Sequence, residues 1–465
     1  MKNDNKELLT GNLKKNLLKM SIPTMLGFLL QAVYDIVDIL WVGRISSSAV
    51  AGVTIFSTVF WLVEILNEII GTSSISLISQ SYGSNDEKKT RVIVEQTLTF
   101  KALVAIIAAA IMLVILKPLL HLFTEDPEVI KAALDYGYIR IFFLPILFSS
   151  FTVNTALRCL GDAKTPMKIM LIASVLNVIL DPIFMFETIP WTNLPGLNMG
   201  VFGAGLATVI STVVAFMVGF NLLISGKAKI KIYFKQLFNL NWEIDKKLLT
   251  IGLPSGAEVL FRQLSGMATI YFVSIYGTKA LAAVGIGNKL FGFAFMPLVG
   301  FAMGSSAIIG QCLGANNVAR AKETARYATL INVSLMTLVS IIAFIFPEFI
   351  MKGFIKDPEV IKVGIPMVRI MTPALIGAGV AMGLGSVFSG SGHNTPFMLS
   401  SVIARWGVQV PLLALMVLVL KLPIAYIWTS FLVADAVEMT IVYIAYKKGT
   451  WENKRVGSFN FSEEK

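Results

Sequence analysis

The sequence predicts an all-α integral membrane protein with twelve transmembrane helices, arranged as two similar bundles of six. Of its 465 residues, 55% are hydrophobic and only 14% are charged, whereas soluble domains have about a quarter charged residues. Apolar runs of about twenty residues, the length needed to cross a hydrocarbon core, recur along the whole chain. The second half repeats motifs of the first, which indicates two related bundles.

Twelve apolar runs define the predicted spans, six in each half of the chain. The first six lie near residues 20–43, 50–80, 93–116, 129–155, 166–186 and 200–225. The second six lie near residues 249–276, 281–312, 325–346, 360–388, 397–420 and 423–446. The chain therefore divides into an N-terminal segment, an N-lobe, an inter-lobe linker, a C-lobe and a tail, at 1–19, 20–225, 226–247, 248–446 and 447–465.

Lysine and arginine residues are distributed unevenly between the two sets of loops. Most of them lie in the N-terminal segment, the linker, the tail and the loops on that same side of the membrane. Basic loops face the cytoplasm, so we expect a multi-pass protein of the plasma membrane with both termini in the cytoplasm. The net charge of +11 is spread between spans rather than gathered in one patch, so we expect no nucleic-acid partner.

A repeated motif relates the two halves of the chain. The segment Asp-Pro-Glu-Val-Ile-Lys at 126–131 returns unchanged at 357–362, and at the same offset Pro23 corresponds to Pro254. Because six spans return the chain to its starting side, both halves have the same orientation, as in a parallel repeat about an axis along the membrane normal. Two such lobes suit alternating access around a site near the bilayer midplane.

No motif for nucleotide-driven or catalytic chemistry occurs in the sequence. It contains no phosphate-binding loop, no nucleophile elbow and no zinc-protease helix motif. With two cysteines and two histidines, it also excludes a disulfide framework or a Cys/His metal centre. We therefore expect no enzymatic activity and no cofactor, and a transport cycle driven by an ion gradient or by the substrate alone.

Acidic residues within span 1 are the first candidates for an ion site. Tyr34, Asp35 and Asp38 share one face of a helix by their spacing. A charge near the bilayer centre costs about 2.5–3.5 kcal/mol on insertion scales, so it requires a partner or a function. The alternative is that these acids lie at the membrane interface, because Asp38 is close to the end of the span.

Span 5 contains a second candidate pair, Asn177 and Asp181, on one helix face. Together they offer amide and carboxylate oxygens, which hard cations such as Na⁺ prefer as ligands. Pro182 leaves open the alternative that Asp181 belongs to a turn at the end of the helix.

Three glutamates are further candidates, as groups that attract a cationic substrate. Glu64 and Glu68 lie one helical turn apart in the middle of span 2, where they either attract substrate or pair with Lys101 or another buried base. Glu258 in span 7 lies one turn before Arg262, so an intrahelical ion pair is the competing interpretation.

Together these motifs resemble the multidrug and toxic-compound extrusion (MATE) family, and within it the DinF-like branch. The similar segments are the span 1 motif from Pro23 to Gly43, Gln-Ser-Tyr-Gly at 80–83, and Leu-Gly-Asp-Ala-Lys-Thr-Pro at 160–166. The resemblance covers nearly the whole chain and implies the MATE fold of twelve helices in two lobes. It also implies a secondary active efflux transporter, an antiporter that exports organic, often cationic, compounds in exchange for H⁺ or Na⁺.

The resemblance further implies which residues couple transport to the ion. In the DinF-like branch an N-lobe network surrounds the acidic residue of the first helix, which here is Asp38. Asp35 stands where the family often has Asn, so we expect it to titrate with Asp38 as one coupled unit. Span 10 contains Arg369 and no carboxylate, so the C-lobe site of another branch is incomplete here. Matching motifs add five neighbours of the acid in the N-lobe: Tyr34, Asn154, Asn177, Asp181 and Thr208.

Two coupling ions are compatible with these residues. Na⁺ would be held by Asp38, Asn177, Asp181 and Thr208, whereas H⁺, which we favour, would bind Asp38 beside Asp35. We expect organic cations or drugs as substrates, the lipid bilayer as the environment and a monomer as the functional unit. The alternative within the same superfamily is a flippase for a lipid-linked oligosaccharide. Its anionic pyrophosphate would require clustered basic residues, whereas the N-lobe spans contain more acids than bases.

Overall fold

The computed structural model describes residues 4–192 and 194–456, which are helical along most of their length. The helices of the first half are α1 (Asp4–Thr10), α2 (Leu13–Val42), α3 (Ser47–Gly83), α4 (Glu87–His121), α5 (Pro127–Phe142), α6 (Leu144–Cys159), α7 (Lys164–Met185) and α8 (Gly200–Ile224). A 3₁₀ turn, Phe234–Phe238, follows within the predicted linker.

The second half has the same helical character. Its helices are α9 (Trp242–Ser274), α10 (Thr278–Gly314), α11 (Val318–Ile345), α12 (Pro347–Phe354), α13 (Pro358–Met371), α14 (Ala374–Ser391), α15 (Thr395–Val402), α16 (Val410–Ala414), α17 (Ile424–Ile427) and α18 (Thr429–Lys447). Two π-helical stretches, Ile403–Gln409 and Leu415–Val419, adjoin α16 on either side.

Every predicted span corresponds to a helix or to a run of consecutive helices. Ten helical segments of the described chain are long and apolar enough to cross a membrane, and α5 with α6 forms an eleventh that bends by 58°. Predicted span 7 corresponds to α9, which is less apolar and does not belong to that set. Predicted span 10 corresponds to α13 and α14, of which α14 alone is long enough to be counted.

The sequence repeat is also visible in the backbone conformation. Asn85 and Asn316 both adopt a left-handed conformation, with φ of 62° and 57°, immediately before a helix cap. Asp86 then caps α4 and Asn317 caps α11, each by accepting a hydrogen bond from a backbone N–H in the first turn. The two halves therefore start corresponding helices in the same way.

The identical six-residue segments begin another pair of equivalent helices. Asp126 caps α5 and Asp357 caps α13, and each carboxylate accepts a backbone hydrogen bond at 2.9 Å. Pro127 and Pro358 occupy the first turn, where a missing N–H leaves no helical hydrogen bond unmade. The identity between these segments thus encodes a helix start with its cap.

The described chain forms two compact units. The first contains Leu26–Gly252, which includes the predicted linker, and the second contains residues 4–25 and 253–456. Both α2 and α9 are therefore divided between units. Each unit buries its own apolar core, the first around Phe56, Tyr136 and Phe148 and the second around Phe272, Met367 and Trp428.

In the first unit, α5 packs closely against both α3 and α8. A Cβ atom at Gly137 would lie 2.5 Å from the ring of Phe56, and one at Gly205 would lie 2.9 Å from the carbonyl oxygen of Tyr136. These approaches require glycine, because any larger residue would force the neighbouring atoms to move. Tyr136 is consequently held, buried, between closely packed helices.

Candidate functional site

Asp38 on α2 is buried and belongs to a short hydrogen-bonded chain. Its Oδ2 accepts a hydrogen bond from the hydroxyl of Tyr136 at 2.8 Å. The same hydroxyl accepts a hydrogen bond from Nη1 of Arg140 at 3.1 Å. Asp38 Oδ1 has no hydrogen-bond donor within residues 4–192 and 194–456. The carboxylate is therefore oriented through one oxygen and leaves the other available.

Arg140 is placed to act on both acids of the predicted pair. Its guanidinium lies over the rings of Phe60 and Tyr136, at 5.0 and 5.2 Å from their centroids. It interacts electrostatically with Asp35 and Asp38, and these two carboxyl groups also interact with each other. Asp38 is buried, whereas Asp35 is exposed in the described chain. The two acids are thus electrostatically connected but differ in environment.

Asn177, Asp181 and Thr208 form a second polar group. Asn177 Nδ2 donates to Asp181 Oδ1 at 3.2 Å and approaches the hydroxyl of Thr208 at 3.4 Å. All three side chains are buried. The α7 helix continues through Pro182 to Met185, so Asp181 is not part of a helix-end turn and that alternative is wrong.

The two polar groups are connected electrostatically, because Asp181 interacts with Asp38. Tyr34 also interacts with Asp38 and Arg140. Asn154 lies buried on α6. No hydrogen bond is recorded for its Oδ1 in the described chain.

Several buried oxygens of these residues have no hydrogen-bond donor among the described residues. They are Asp38 Oδ1, Asn154 Oδ1, Asn177 Oδ1 and Asp181 Oδ2. Buried polar atoms are normally satisfied, so these oxygens are available to bind an added proton or cation. Oxygen ligands with negative charge suit a proton or a hard cation such as Na⁺.

The sequence did not indicate Tyr136 and Arg140 as site residues, although the structure shows that they orient Asp38. They lie one turn apart on α5, a spacing that places them on one helix face. Arg140 lies inside predicted span 4. A charged residue within a span is energetically costly, and this cost is the sequence feature that could have indicated a functional role for Arg140.

The glutamates of α3 lie near a fully buried lysine. Lys101 places its ammonium 4.6 Å from the centroid of Phe151 and interacts electrostatically with Glu68 and Glu64. Glu64 also accepts a hydrogen bond from Asn67 at 2.8 Å. Lys101 is therefore a charged neighbour of these glutamates, and both interpretations, pairing with this base and attraction of a cationic substrate, remain predictions.

The second unit contains an ionic network around Glu258. Arg262 contacts Glu258 at 2.6 Å and Glu438 at 2.7 Å, which agrees with the ion-pair interpretation. Arg405 contacts Glu438 at 3.0 Å and also Asp435. Three carboxylates thus share two guanidinium groups. The sequence indicated the pair within α9 but could not assign Glu438, Asp435 or Arg405, because those contacts join different helical segments.

Repeated apolar helices with buried carboxylates are typical of multi-pass membrane transporters. The MatE family model matches residues 23–183 and 254–415, one segment in each half. The chain therefore belongs to the MatE family, as the sequence motifs indicated. Members of this family are transporters and not enzymes, which agrees with the prediction of no enzymatic activity.

Curated relatives match over almost the full chain. The probable multidrug resistance protein YoeA of Bacillus subtilis is 29% identical over 440 residues, which cover 94% of this chain and 93% of the relative. The probable multidrug resistance protein NorM of Thermotoga maritima is 24% identical, with 96% and 94% covered. The multidrug export protein MepA of Staphylococcus aureus is 23% identical, with 92% and 93% covered.

Solved structures support the fold. A transporter of the MOP superfamily from Pyrococcus furiosus aligns with a TM-score of 0.88 at 22% identity, covering 96% of this chain and 98% of that one. A MATE transporter in its bent conformation aligns with the same TM-score at 23% identity, covering 96% and 97%. These neighbours have twelve helices in two bundles, so the predicted fold class is confirmed.

Proposed function

We propose that the protein is a secondary active multidrug efflux transporter, an antiporter that exports organic cations in exchange for H⁺ or Na⁺. It acts as a monomer in the plasma membrane, with both termini in the cytoplasm. The names of its relatives, multidrug resistance and multidrug export proteins, support the assignment to efflux. The site is built on carboxylates rather than clustered bases, so a flippase for an anionic lipid-linked sugar is not favoured.

The observation that carries this proposal is the set of unsatisfied oxygens around Asp38 and Asp181. An ion that binds these oxygens from outside favours one state of the transporter, and substrate favours the other. Coupling requires this opposition, because a ligand shifts an equilibrium only through its different affinities for the two states. Binding of ion and substrate is therefore mutually opposed in this cycle.

The driving force is sufficient for substantial accumulation outside the cell. One charge moving down 100 mV supplies about 2.3 kcal/mol, and each tenfold ion gradient adds about 1.4 kcal/mol. Together these terms support a substrate gradient of roughly a few hundredfold for one ion per cycle.

H⁺ is the coupling ion that the hydrogen bonding of the site favours. The fixed guanidinium of Arg140 interacts with Asp35 and Asp38 and opposes either added cation, so the choice between them depends on the oxygen ligands that each ion needs. A proton binds covalently to one oxygen, such as Asp38 Oδ1, and needs no further ligands. In the Na⁺ case, Asp38, Asn177, Asp181 and Thr208 would hold the ion and supply its charge compensation.

Glu64 and Glu68 are the acids that we assign to the attraction of cationic substrates. Both side chains are only partly buried, so their carboxylates stay accessible to a cation although the charge of Lys101, which also interacts with Arg158, acts on them. Glu258 contributes less, because Arg262 and Ser401 already engage its carboxylate at 2.6 and 3.1 Å.

Reconstitution into vesicles tests the function directly. A pH gradient and a Na⁺ gradient are imposed separately while the movement of a panel of cationic dyes is followed. We expect dye transport against its gradient with the pH gradient, and a much smaller rate with Na⁺ alone. Vesicles without protein, and vesicles with the gradient collapsed by an ionophore, provide the controls. Dye movement that is indifferent to both gradients would contradict the antiporter proposal.

A further inference from the structure

The predicted inter-lobe linker is fixed to α4 by buried polar side chains. Glu95 accepts a hydrogen bond from the backbone N–H of Tyr233 at 2.7 Å. Gln96 accepts one from the backbone N–H of Asn241 at 2.9 Å, and its amide donates to the backbone carbonyl of Asn239. Because Glu95 and Gln96 are both buried, these bonds are shielded from water and hold the linker in a defined position.

The same contacts define the depth of the linker along α4. Thr99 donates a hydrogen bond to the backbone carbonyl of Leu237 at 2.5 Å, so the 3₁₀ turn lies beside residues 95–99. The apolar run of α4 begins near residue 93. With a helical rise of about 1.5 Å per residue, the turn lies within about 10 Å of the boundary where the hydrocarbon core begins.

The exposed side of the linker presents aromatic rings at this depth. Phe234, Phe238 and Trp242 are 59%, 73% and 68% exposed. Amphipathic segments near a bilayer surface bury such rings between the headgroups and the acyl chains. The rings of Phe234 and Phe238 contact each other, with centroids 5.6 Å apart, and Trp242 follows in the chain at the start of α9. Such exposed rings indicate a contact surface rather than a face in water.

Lysines flank these rings and give the surface its charge. Lys227, Lys231, Lys235 and Lys246 are exposed, whereas Lys229 donates a hydrogen bond to the carbonyl of Leu160 at 3.1 Å. The acids of the same segment, Glu243 and Asp245, are fewer, and Asp245 is buried. The exposed side chains of the linker consequently have a net positive charge.

We propose that this linker face, formed by Phe234, Phe238, Trp242 and the four exposed lysines, binds the phosphodiester headgroups of anionic phospholipids. The rings anchor in the headgroup region and the lysines contact the phosphates. Charge complementarity selects an anionic lipid over a zwitterionic one, because each lysine near the surface adds attraction to a negative leaflet. The surface is separate from the ion site and does not depend on the transport proposal.

Spin-labelled lipids test the lipid preference of the full-length protein. The protein is reconstituted in phosphatidylcholine, and the association of labelled phosphatidylglycerol is compared with that of labelled phosphatidylcholine. We expect the anionic lipid to associate about fivefold more strongly than the zwitterionic one. This is the effect expected when one lysine lies close to the lipid phosphate. Replacing the four linker lysines by glutamine should remove most of that preference.

A matched variant removes the same charge elsewhere. Lys117, Lys131, Lys356 and Lys421 are also exposed, and their replacement by glutamine should leave most of the preference in place. Equal losses in the two quadruple variants would show a general charge effect and would overturn the proposal. An unchanged preference in the linker variant would overturn it as well.

The depth of the rings is tested independently with a spin label at Phe238→Cys. The native Cys159 and Cys312 are both buried, so labelling is directed to the new thiol. We expect the label to be more accessible to oxygen than to a water-soluble nickel complex, as for a residue below the headgroups. Greater access to the nickel complex would place the ring in water. If the label is protected from both reagents, and this protection increases with protein concentration, a second copy of the chain covers the ring. Exposure to water and coverage by a second copy would each refute lipid binding.

Discussion

Replacing Asp38 by asparagine should abolish ion-driven efflux while leaving the protein folded. Asparagine retains an oxygen that accepts the hydrogen bond of Tyr136, so the local packing of α2 and α5 is preserved. It cannot take up a proton or supply a negative charge to Na⁺. We expect the rate of gradient-driven dye export from reconstituted vesicles to fall by at least about a hundredfold, because the cycle loses its driving ion, a term worth several kcal/mol.

An acid outside the site provides the control for this experiment. Glu125 is exposed, contacts His121 at 3.3 Å and lies in a loop, so Glu125→Gln removes one carboxylate without touching the first-unit network. That variant should export at the normal rate. Dye binding to Asp38→Asn should remain measurable, since the predicted defect is in coupling. Normal export by Asp38→Asn would show that Asp38 does not bind the driving ion.

Replacing Arg405 by methionine should strongly destabilise the second unit. Arg405 contacts both Asp435 and Glu438, and all three side chains have little exposure. Removing one partner of a buried ion pair leaves an uncompensated charge and typically costs about 3–5 kcal/mol. Thermal unfolding in detergent, followed with a thiol-reactive dye at the buried cysteines, should show a clearly lower midpoint than the wild type.

Two further variants separate the loss of the ion pair from other causes. Adding Asp435→Asn to Arg405→Met should restore part of the lost stability, because the unpaired carboxylate is then neutral. Lys352→Met breaks the exposed pair with Glu348, which lies at 2.7 Å, and should cost about 0–1 kcal/mol. Equal midpoints for wild type and Arg405→Met would indicate that the network does not stabilise this unit.

The spans and the repeat could be predicted because they depend on residues that are close together in the sequence. Hydropathy marks most of the spans, although α9 is less apolar than the others. The segment at 126–131 contains both its cap and its first turn, so its copy at 357–362 forms the same helix start. The bend of 58° between α5 and α6 was not predicted. The sequence feature that could have indicated the bend is Pro145, which lies in the first turn of α6. Hydropathy alone does not show it, because the apolar run continues across both helices.

The site was predictable only along individual helices. Spacing related Asn177 to Asp181, and the structure joins them at 3.2 Å. It could not relate Asp38 to Tyr136, which come from different helices 98 positions apart. The family resemblance supplied Asn154 and Thr208, and their roles remain predictions. Contacts between helices depend on packing, such as the close approach at Gly137, which no spacing rule reveals.

The oxygens without donors, among them Asp38 Oδ1 and Asp181 Oδ2, have a consequence for thermal stability. Each buried, unsatisfied oxygen costs about 1–3 kcal/mol, so an ion that satisfies them raises the free energy of unfolding. Melting curves recorded without any drug should therefore respond to graded Na⁺ or to graded pH more strongly in the wild type than in Asp38→Asn, according to which ion is the true partner. Saturation at a hundred times the dissociation constant would add about 2.7 kcal/mol to the free energy of unfolding. Thermal denaturation can therefore identify the coupling ion.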